Sequence, residues 1–205
     1  VFSERTNEVE ATAIAAFLET FDFTQTLGIV AFSEEQVKCI WKKCSSNVQL
    51  KITEGQEQNT VFIKSLEQVQ GDEADVLLVS LAYAKNEEGD FHMRFGPLNQ
   101  EMGYKRLNVL FTRAKTAFHL YCTVLATDFS VSTNESVNLL RLFLHDLEQQ
   151  TEQDQLHYSF PYGIHVSTQN GTRLTLKSVY RTITSAHDLL TFYRVMQLRG
   201  WQLNF

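Results

Sequence analysis

The chain has 205 residues, an apolar fraction of 43% and a formal net charge of −6, which fits one domain, or one and a half, with a sizeable core. No apolar run reaches the roughly 18 residues of a membrane span, and no signal-like N-terminus is present, which argues against a membrane protein. Three cysteines without a CxxC spacing argue against a disulfide framework or zinc knuckle and favour reduced thiols in a cytoplasmic protein. Because the chain begins at Val1 rather than Met, we expect a fragment of a longer protein.

The charge is uneven along the chain. From residue 155 onward five basic residues stand against a single acid, Asp188, giving +4 and leaving −10 for residues 1–154. This asymmetry predicts two modules with different surfaces, at 1–128 and 129–205, although a solvated basic face without a partner is the alternative.

An amphipathic helix is predicted over residues 6–20, because apolar side chains recur every fourth residue at Val9, Ala13 and Phe17, flanked by Ile14 and Leu18. The apolar run at 26–32 then predicts a buried strand.

Ser33 and Gln36 form a capping-box pattern that opens a helix at 34–44. The elements predicted next are a strand at 61–65, a turn at 67–73, a strand at 75–84, a loop at 85–103, a helix at 104–114 and a strand at 117–125. Continuously apolar strands that alternate with helices predict an α/β fold whose parallel sheet is covered by helices on both faces.

The character of the sequence changes after Asp128. The elements predicted there are a helix at 134–150, a polar linker, two strands at 162–167 and 173–180 around an Asn170-Gly171 turn, and a helix from about Ser185 that ends at Gly200. They predict a small α+β C-terminal module.

A polar turn, Gln70-Gly71-Asp72-Glu73, follows the strand at 61–65. We expect it at the carboxyl end of that strand, where ligands bind in open parallel sheets. Glycine lets the backbone approach a phosphate, and the acids can orient water, a metal or an arginine. A plain structural turn is the alternative.

The predicted helix at 104–114 is basic and, from Lys105 to Lys115, contains no acid. Arg106 and Arg113 are seven residues apart, which would place both guanidinium groups on one helix face. Guanidinium groups suit the clamping of a transferred phosphoryl group. A solvated basic face is the alternative.

Four segments together resemble the superfamily 1 helicases, and within them the Upf1-like group. They are ERTNEVEA (4–11) at the start of the domain, TLGIVAFSEEQ (26–36) as motif IV, IKSLEQVQGDEADVLLVS (63–80) as motif V and KRLNVLFTRAK (105–115) as motif VI. The resemblance covers residues 1–128. Glu67 departs mildly from the family, which often has Asp there.

This resemblance implies the second of two RecA-like domains in an ATP-dependent DNA helicase or translocase. The N-terminal RecA-like domain of the same protein would hold most of the ATP and Mg²⁺, and no GxxxxGK[ST] loop occurs here. The chain alone is therefore expected to bind ATP weakly, to hydrolyse none and to hold no metal. The partner nucleic acid would be single-stranded or duplex DNA, with RNA as an alternative.

The family motifs also imply residue roles. Those implied are Arg113 as arginine finger and Glu73 beside it in catalysis, Gly71, Gln70 and Arg106 in ATP binding, and Ser65 and Ser33 in nucleic-acid binding.

Residues 185–205 resemble the end of Vsr-like nucleases. Such enzymes need clustered carboxylates, and Asp188 is the only acid after residue 154, so we interpret the tail as degenerate and an active nuclease as disfavoured. The alternative for the whole chain is a catalytically inactive module that binds nucleic acid or protein.

Overall fold

The computed structural model describes residues 2–3, 6–86, 88–93, 95–130, 132–153 and 178–180. The strands are β1 (Phe2–Ser3), β2 (Thr6–Asn7), β3 (Leu27–Ala31), β4 (Val61–Ser65), β5 (Ala74–Ser80), β6 (Ala114–Tyr121) and β7 (Ser178–Tyr180). The helices are α1 (Glu8–Thr20), α2 (Glu34–Lys43), α3 (Ser46–Glu57), α4 (Gly103–Phe111) and α5 (Glu135–Gln153), with short 3-10 turns at Gly96–Asn99 and Ala126–Asp128.

The centre of the fold is a sheet with the order β4-β3-β5-β6-β7. The first four strands are parallel, and β7 pairs antiparallel with β6. This confirms the predicted α/β class with a parallel sheet.

Helices cover both faces of the sheet, as predicted. Along β3, Ile29 packs into a core formed with α1, α2 and α3, whereas Val30 packs into a second core formed with α4 and α5. Strands buried on both faces need apolar side chains at every position, which explains the uninterrupted apolar runs.

The parallel strands give the sheet two edges. We call the side where β5 and β6 begin, at Ala74 and Ala114, the amino edge. We call the side where β3, β4 and β5 end, at Ala31, Ser65 and Ser80, the carboxyl edge.

Residues 66–73, the crossing segment, connect these two edges. They lead from the end of β4, past β3, to the start of β5, and Leu66 and Val69 pack into the core beside α4. A parallel connection usually takes a dozen or more residues. The diagonal across a five-residue strand of about 17 Å and two strand spacings of about 5 Å each is roughly 20 Å, which is less than the roughly 26 Å that eight residues can span and leaves length for the turns at 66–68 and 70–71.

Helix α1 begins two residues later than predicted, and its buried face is centred on Ile14 and Leu18. Asn7 caps it by accepting a hydrogen bond from the Glu10 amide at 3.3 Å. The buried positions are Ala11, Ile14, Ala15 and Leu18. Of the predicted face, Val9 is exposed, whereas Ala13 and Phe17 are partly buried against the same core as Ile14 and Leu18, so the predicted face is confirmed except at Val9.

Helix α3 was not predicted. Ser45 caps it by accepting from the Val48 amide, and Val48 and Ile52 are buried. A Cβ on Gly55 would meet the Val61 side chain at 2.3 Å, so this glycine lets α3 approach β4 closely. Most residues of this segment are polar, and two buried apolar residues, Val48 and Ile52, are too few to predict an amphipathic helix.

Several predicted boundaries also shift. The strand predicted at 75–84 ends at Ser80, and the strand predicted at 117–125 begins at Ala114 and ends at Tyr121. Helix α5 continues to Gln153, through part of the predicted linker. The strand predicted at 173–180 is described only in its last three residues, β7, and the other C-terminal elements predicted after residue 153 lie outside the described residues.

Candidate functional site

Arg113 lies beyond the end of α4, at the amino edge. The helix ends at Phe111, and the amide of Thr112 closes it with bonds to the Asn108, Val109 and Leu110 carbonyls. Arg106 lies inside α4, as the fourth of its nine residues, and donates to Gln100 Oε1 at 3.1 Å. The prediction that the two arginines share one helix face is therefore wrong, because the helix stops before Arg113.

Three hydrogen bonds hold the Arg113 guanidinium. Nε donates to the Val109 carbonyl at 3.0 Å, Nη1 to the Asp72 carbonyl at 3.3 Å and Nη2 to Thr112 Oγ1 at 3.1 Å. A guanidinium has five N–H donors in one plane. Two of them, one on each Nη, therefore have no partner among the described residues.

The crossing segment brings Gly71 and Glu73 to the same place. The Ala74 amide donates to the Arg113 carbonyl at 3.0 Å, which joins the end of the crossing segment to the start of β6. Gly71 has a φ of +93°, and a Cβ there would meet nothing within 4 Å. The backbone at Gly71 is therefore open to a ligand, and its conformation favours glycine.

Glu73 is held by an ion pair at the surface. Lys115 Nζ lies 2.6 Å from Glu73 Oε1, and both side chains are about half exposed. This hydrogen bond raises the pKa of Lys115 above its ordinary value. The carboxylate stays accessible and can reorient towards a ligand.

Asp75 and Thr26 lock the amino edge behind these groups. Asp75 Oδ2 accepts from the Thr26 hydroxyl at 2.7 Å and from its amide at 3.0 Å, while the Asp75 amide donates to Thr26 Oγ1 at 2.7 Å. The Thr26 hydroxyl and amide together lower the pKa of Asp75. These three hydrogen bonds connect the start of β3 to β5 and restrain the backbone next to Glu73 and Arg113.

The polar turn was predicted at the carboxyl end of β4, and for Gly71 and Glu73 this prediction is wrong. Gly71 and Glu73 lie next to the first residue of β5, at the amino edge, and not at the carboxyl end of β4. The reason is the crossing segment, which leaves the carboxyl edge at Leu66 and has reached the other edge by Ala74. Gln70 is exposed within that segment.

Ser33 and Ser65 lie at the opposite, carboxyl edge. Ser33 caps α2 by accepting from the Gln36 amide at 3.1 Å, so the cap predicted from the sequence is confirmed. The Gln68 side chain connects the two serines. Its Oε1 accepts from the Ser65 amide at 3.2 Å, and its Nε2 donates at 3.2 Å to Glu34, the residue after Ser33.

The Ser65 hydroxyl stands out at this edge. Ser65 is only 4% exposed, and its Oγ has no hydrogen-bond partner among the described residues. A buried hydroxyl without a partner costs free energy. Ser65 is therefore suited to a ligand that supplies the missing hydrogen bond.

A buried polar network that the sequence did not reveal underlies the carboxyl edge. Its members Asn7, Glu10, Gln36 and Ser80 are all fully buried. Glu10 accepts from the Ser80 hydroxyl at 2.6 Å, the Ala82 amide at 2.8 Å and Asn7 Nδ2 at 2.9 Å.

Gln36 closes this network. Its amide group accepts from the Asn7 N–H at 2.7 Å and donates to the Asn7 carbonyl at 3.0 Å and to Ser80 Oγ at 2.9 Å. The capping-box role predicted for the Gln36 side chain is thereby replaced by contacts to β2 and β5. Its partners lie 29 and 44 residues away in the sequence, so no local pattern could have found them.

Burial dominates the electrostatics of Glu10. It raises the pKa of this carboxyl to about 8, although the hydrogen bonds from Ser80 and Ala82 oppose the shift. Ala82 has a φ of +68°, a conformation unusual for alanine. The bond from its amide to Glu10 stabilises that turn.

These residues suit a phosphate contact but make no complete nucleotide or metal site. Arg113 offers two N–H donors and Gly71 an open backbone. Among the described residues, no three His, Cys, Asp or Glu side chains cluster in a way that could hold a metal ion. In the same part of the chain, no helix is long and apolar enough to cross a membrane.

The chain is similar to two mycoplasma proteins named as helicases. It is 30% identical over 148 residues to the uncharacterized ATP-dependent helicase MG140 of Mycoplasma genitalium, a match that covers 67% of this chain and 13% of that protein. It is 28% identical over 126 residues to the MG140 homolog of Mycoplasma pneumoniae, covering 58% of this chain and 11% of that protein. The chain thus spans a small part of the length of these relatives.

A family model described as an AAA domain matches residues 3–124. This range contains the parallel strands β3 to β6, the crossing segment and Arg113, and it is more than half of the chain. The chain belongs to the AAA domain family.

Proposed function

We propose that this chain is the second RecA-like domain of a superfamily 1 DNA helicase or translocase of the Upf1-like group. ATP would lie between its amino edge and an N-terminal RecA-like domain of the same protein. That domain would supply the phosphate loop and the Mg²⁺ ligands. The helicase-like relatives and the AAA domain match support this proposal at the level of the family.

The observation that carries the proposal is the placement of Arg113. Its guanidinium is oriented by three acceptors, yet it keeps two N–H donors without a partner among the described residues. Two parallel N–H donors match the geometry of a phosphate. An oriented guanidinium of this kind can stabilise the charge that develops on a transferred phosphoryl group.

The neighbouring groups would complete the chain's share of the ATP site. The open backbone at Gly71 would approach a phosphate, and Gln70 would contact the nucleotide from the same exposed segment. Glu73 would orient water or accept a hydrogen bond from the nucleotide once it leaves Lys115. Arg106, which lies inside α4 and is bonded to Gln100, would make a further contact to the nucleotide.

The carboxyl edge would bind the nucleic-acid strand. Ser65 has a buried hydroxyl that lacks a partner, and Ser33 lies two residues after β3 at the same edge. Ser33 would contact the sugar-phosphate backbone directly, and the buried Ser65 hydroxyl would do so once the edge opens around the strand; neither contact carries sequence specificity. DNA is the proposed strand, and RNA is the alternative outcome of a binding test.

Residues 129–205 are proposed as an accessory module of this domain. Helix α5 packs on the core beside α4 through Val137, Leu140 and Leu144. Such packing would let the module follow the movements of the domain.

The proposal is tested by nucleic-acid-stimulated ATP hydrolysis of the full-length protein. We expect Arg113→Ala to lower the stimulated turnover about 10³-fold or more, the range typical of an arginine finger. Lys105→Ala is the matched control, because it removes an exposed positive charge from α4 and should leave turnover within twofold of wild type.

Two outcomes would contradict the proposal. Unchanged turnover in Arg113→Ala would remove the arginine-finger assignment. A wild-type protein without ATP turnover would favour a module that binds nucleic acid or protein and has lost catalysis.

A further inference from the structure

An ion pair joins the two ends of the crossing segment. Lys64 Nζ lies 2.8 Å and 3.0 Å from the two carboxylate oxygens of Asp72. Lys64 immediately precedes Ser65, the last residue of β4, whereas Asp72 lies two residues before β5. The pair therefore braces the segment across its length.

Asp72 is also the only one of the three acceptors around Arg113 that comes from elsewhere in the chain. Val109 and Thr112 lie within four residues of Arg113, but the Asp72 carbonyl is 41 residues away in sequence. The position of the Asp72 peptide therefore decides whether the third bond forms and how the guanidinium plane is turned.

The bonds of Ala74 and Asp75 fix the chain after Asp72, but few other contacts hold Asp72 itself. The Asp72 amide donates to the Val69 carbonyl at a long 3.3 Å, and the neighbours Gly71 and Glu73 are exposed. With a φ of +93°, Gly71 adds a residue of high conformational freedom directly before Asp72. The Lys64 side chain is thus the main side-chain contact that restrains Asp72.

We propose that Lys64 is a positioning residue for Arg113, acting through the carboxylate and peptide of Asp72. This inference rests on the proposed role of Arg113 at the γ-phosphate. Lys64 itself touches neither ATP nor Arg113. Its ammonium sets the place of the Asp72 carbonyl, which in turn sets the angle of the Arg113 guanidinium.

The expected consequence is a loss of turnover without a loss of binding. A misplacement of about 1 Å can lower a rate as much as 100-fold. A partly exposed pair restrains its partner less strictly, so we expect Lys64→Met and Asp72→Asn each to lower kcat roughly three- to tenfold. Asp72→Asn keeps the carbonyl but removes the charge that Lys64 holds.

The test measures kcat, the KM for ATP and the Kd for single-stranded DNA in the full-length protein. We expect each single variant and the double variant to lower kcat equally, because all three remove one interaction. The KM and the DNA Kd should stay within twofold of wild type, and Lys64→Arg should restore most of kcat.

Lys43→Met provides the matched control. Lys43 pairs with Glu8 at 2.9 Å, and the Lys43 side chain is 37% exposed, as is Lys64. This pair lies between α1 and α2, away from Arg113, so its removal should leave kcat unchanged. An equal loss in Lys43→Met would overturn the proposal, because the effect would then be general.

The Arg113→Ala variant tests the proposed function, whereas Lys64→Met and Asp72→Asn test the positioning role of Lys64. If Arg113→Ala keeps wild-type turnover, the arginine-finger role is wrong. If Arg113→Ala loses turnover but Lys64→Met and Asp72→Asn retain wild-type kcat, or if their effects add in the double variant, the positioning role of Lys64 is overturned. Should one single variant fail to fold, the other and Lys64→Arg give the same decision.

Discussion

At the carboxyl edge of the sheet, Glu10, Gln36 and Ser80 are fully buried and satisfy one another's hydrogen bonds, whereas at the amino edge Glu73 and Arg113 stay partly exposed. The buried network joins β2, α1, α2 and β5 across long stretches of sequence. At the amino edge, Arg113 makes three hydrogen bonds and keeps two N–H donors without a partner among the described residues, and Glu73 is held by a surface ion pair.

The carboxyl edge is therefore the more rigid of the two, and the amino edge is the one that can respond to a ligand. Buried polar groups that all have partners make a rigid arrangement that is costly to disturb. Exposed groups with spare donors can change partners when a ligand arrives. We therefore expect the carboxyl edge to act as a stable platform and the amino edge to rearrange around a phosphate.

The largest effect on folding is expected from Glu10→Ala. This change leaves the Ser80 hydroxyl and the Ala82 amide buried without an acceptor, and each such group costs about 1–3 kcal/mol. We expect the free energy of unfolding to fall by roughly 3 kcal/mol or more, measured by urea unfolding. The control Glu57→Ala, at the exposed end of α3, should change it by less than about 0.5 kcal/mol. An equal fall in the free energy of unfolding in Glu10→Ala and Glu57→Ala would show that the buried network does not stabilise the carboxyl edge.

Burial of Glu10 should also make the stability of the protein depend on pH. The pKa of Glu10 rises from 4.5 to about 8 on folding, so between these values the unfolded chain loses a proton that the folded chain keeps. The contribution of Glu10 is therefore complete below pH 4.5 and is lost as the pH rises towards 8, at up to about 1.4 kcal/mol per pH unit.

Urea unfolding between pH 5 and 8 measures this dependence. We expect wild-type stability to fall with rising pH and the slope to be much smaller in Glu10→Gln, whose side chain does not titrate. Identical slopes in the two proteins would show that Glu10 is ionised in the folded state.

A smaller effect is expected at Gly71. Gly71 and Gly89 have φ values of +93° and +87°, and a Cβ at either meets nothing within 4 Å. Alanine at either position should cost about 1–2 kcal/mol through backbone strain alone, as measured by urea unfolding. Only Gly71→Ala should also lower ATP turnover of the full-length protein. A matching loss of turnover in Gly89→Ala would show that Gly71 has no special role.

The smallest effect is expected from Lys115→Met. Its ion pair with Glu73 is about half exposed on both sides, and such pairs contribute little to stability. We expect an unchanged thermal midpoint at low and at high salt. A clear, salt-dependent loss of stability would show that the amino edge is more rigid than we infer.

Much of the fold could be predicted because the strands and helices have local signatures. The apolar runs at β3 and β5 predict buried strands, and Ser33 marks the start of α2. Helix α3 escaped prediction because only Val48 and Ile52 of its residues form an apolar stripe beneath the Ser45 cap.

The site was harder to predict because it depends on where the chain turns. Sequence shows that Gly71 and Glu73 follow β4, but it does not show that eight residues carry the chain to the other edge. Sequence also favoured a helix through Arg113, whereas the bonds of Thr112 to the preceding carbonyls end α4 first. No sequence pattern predicts that Lys64 pairs with Asp72, because the two charges come together only when the crossing segment folds.

The most direct test of the two-edge account compares Arg113→Ala with Ser65→Ala in the full-length protein, measuring ATP turnover and the Kd for single-stranded DNA in both. We predict that Arg113→Ala loses about 10³-fold or more in turnover and keeps the wild-type Kd. Ser65→Ala should keep basal turnover and bind DNA more weakly. Wild-type turnover in Arg113→Ala, or unchanged DNA binding in Ser65→Ala, would contradict the assignment of ATP to the amino edge and of the strand to the carboxyl edge.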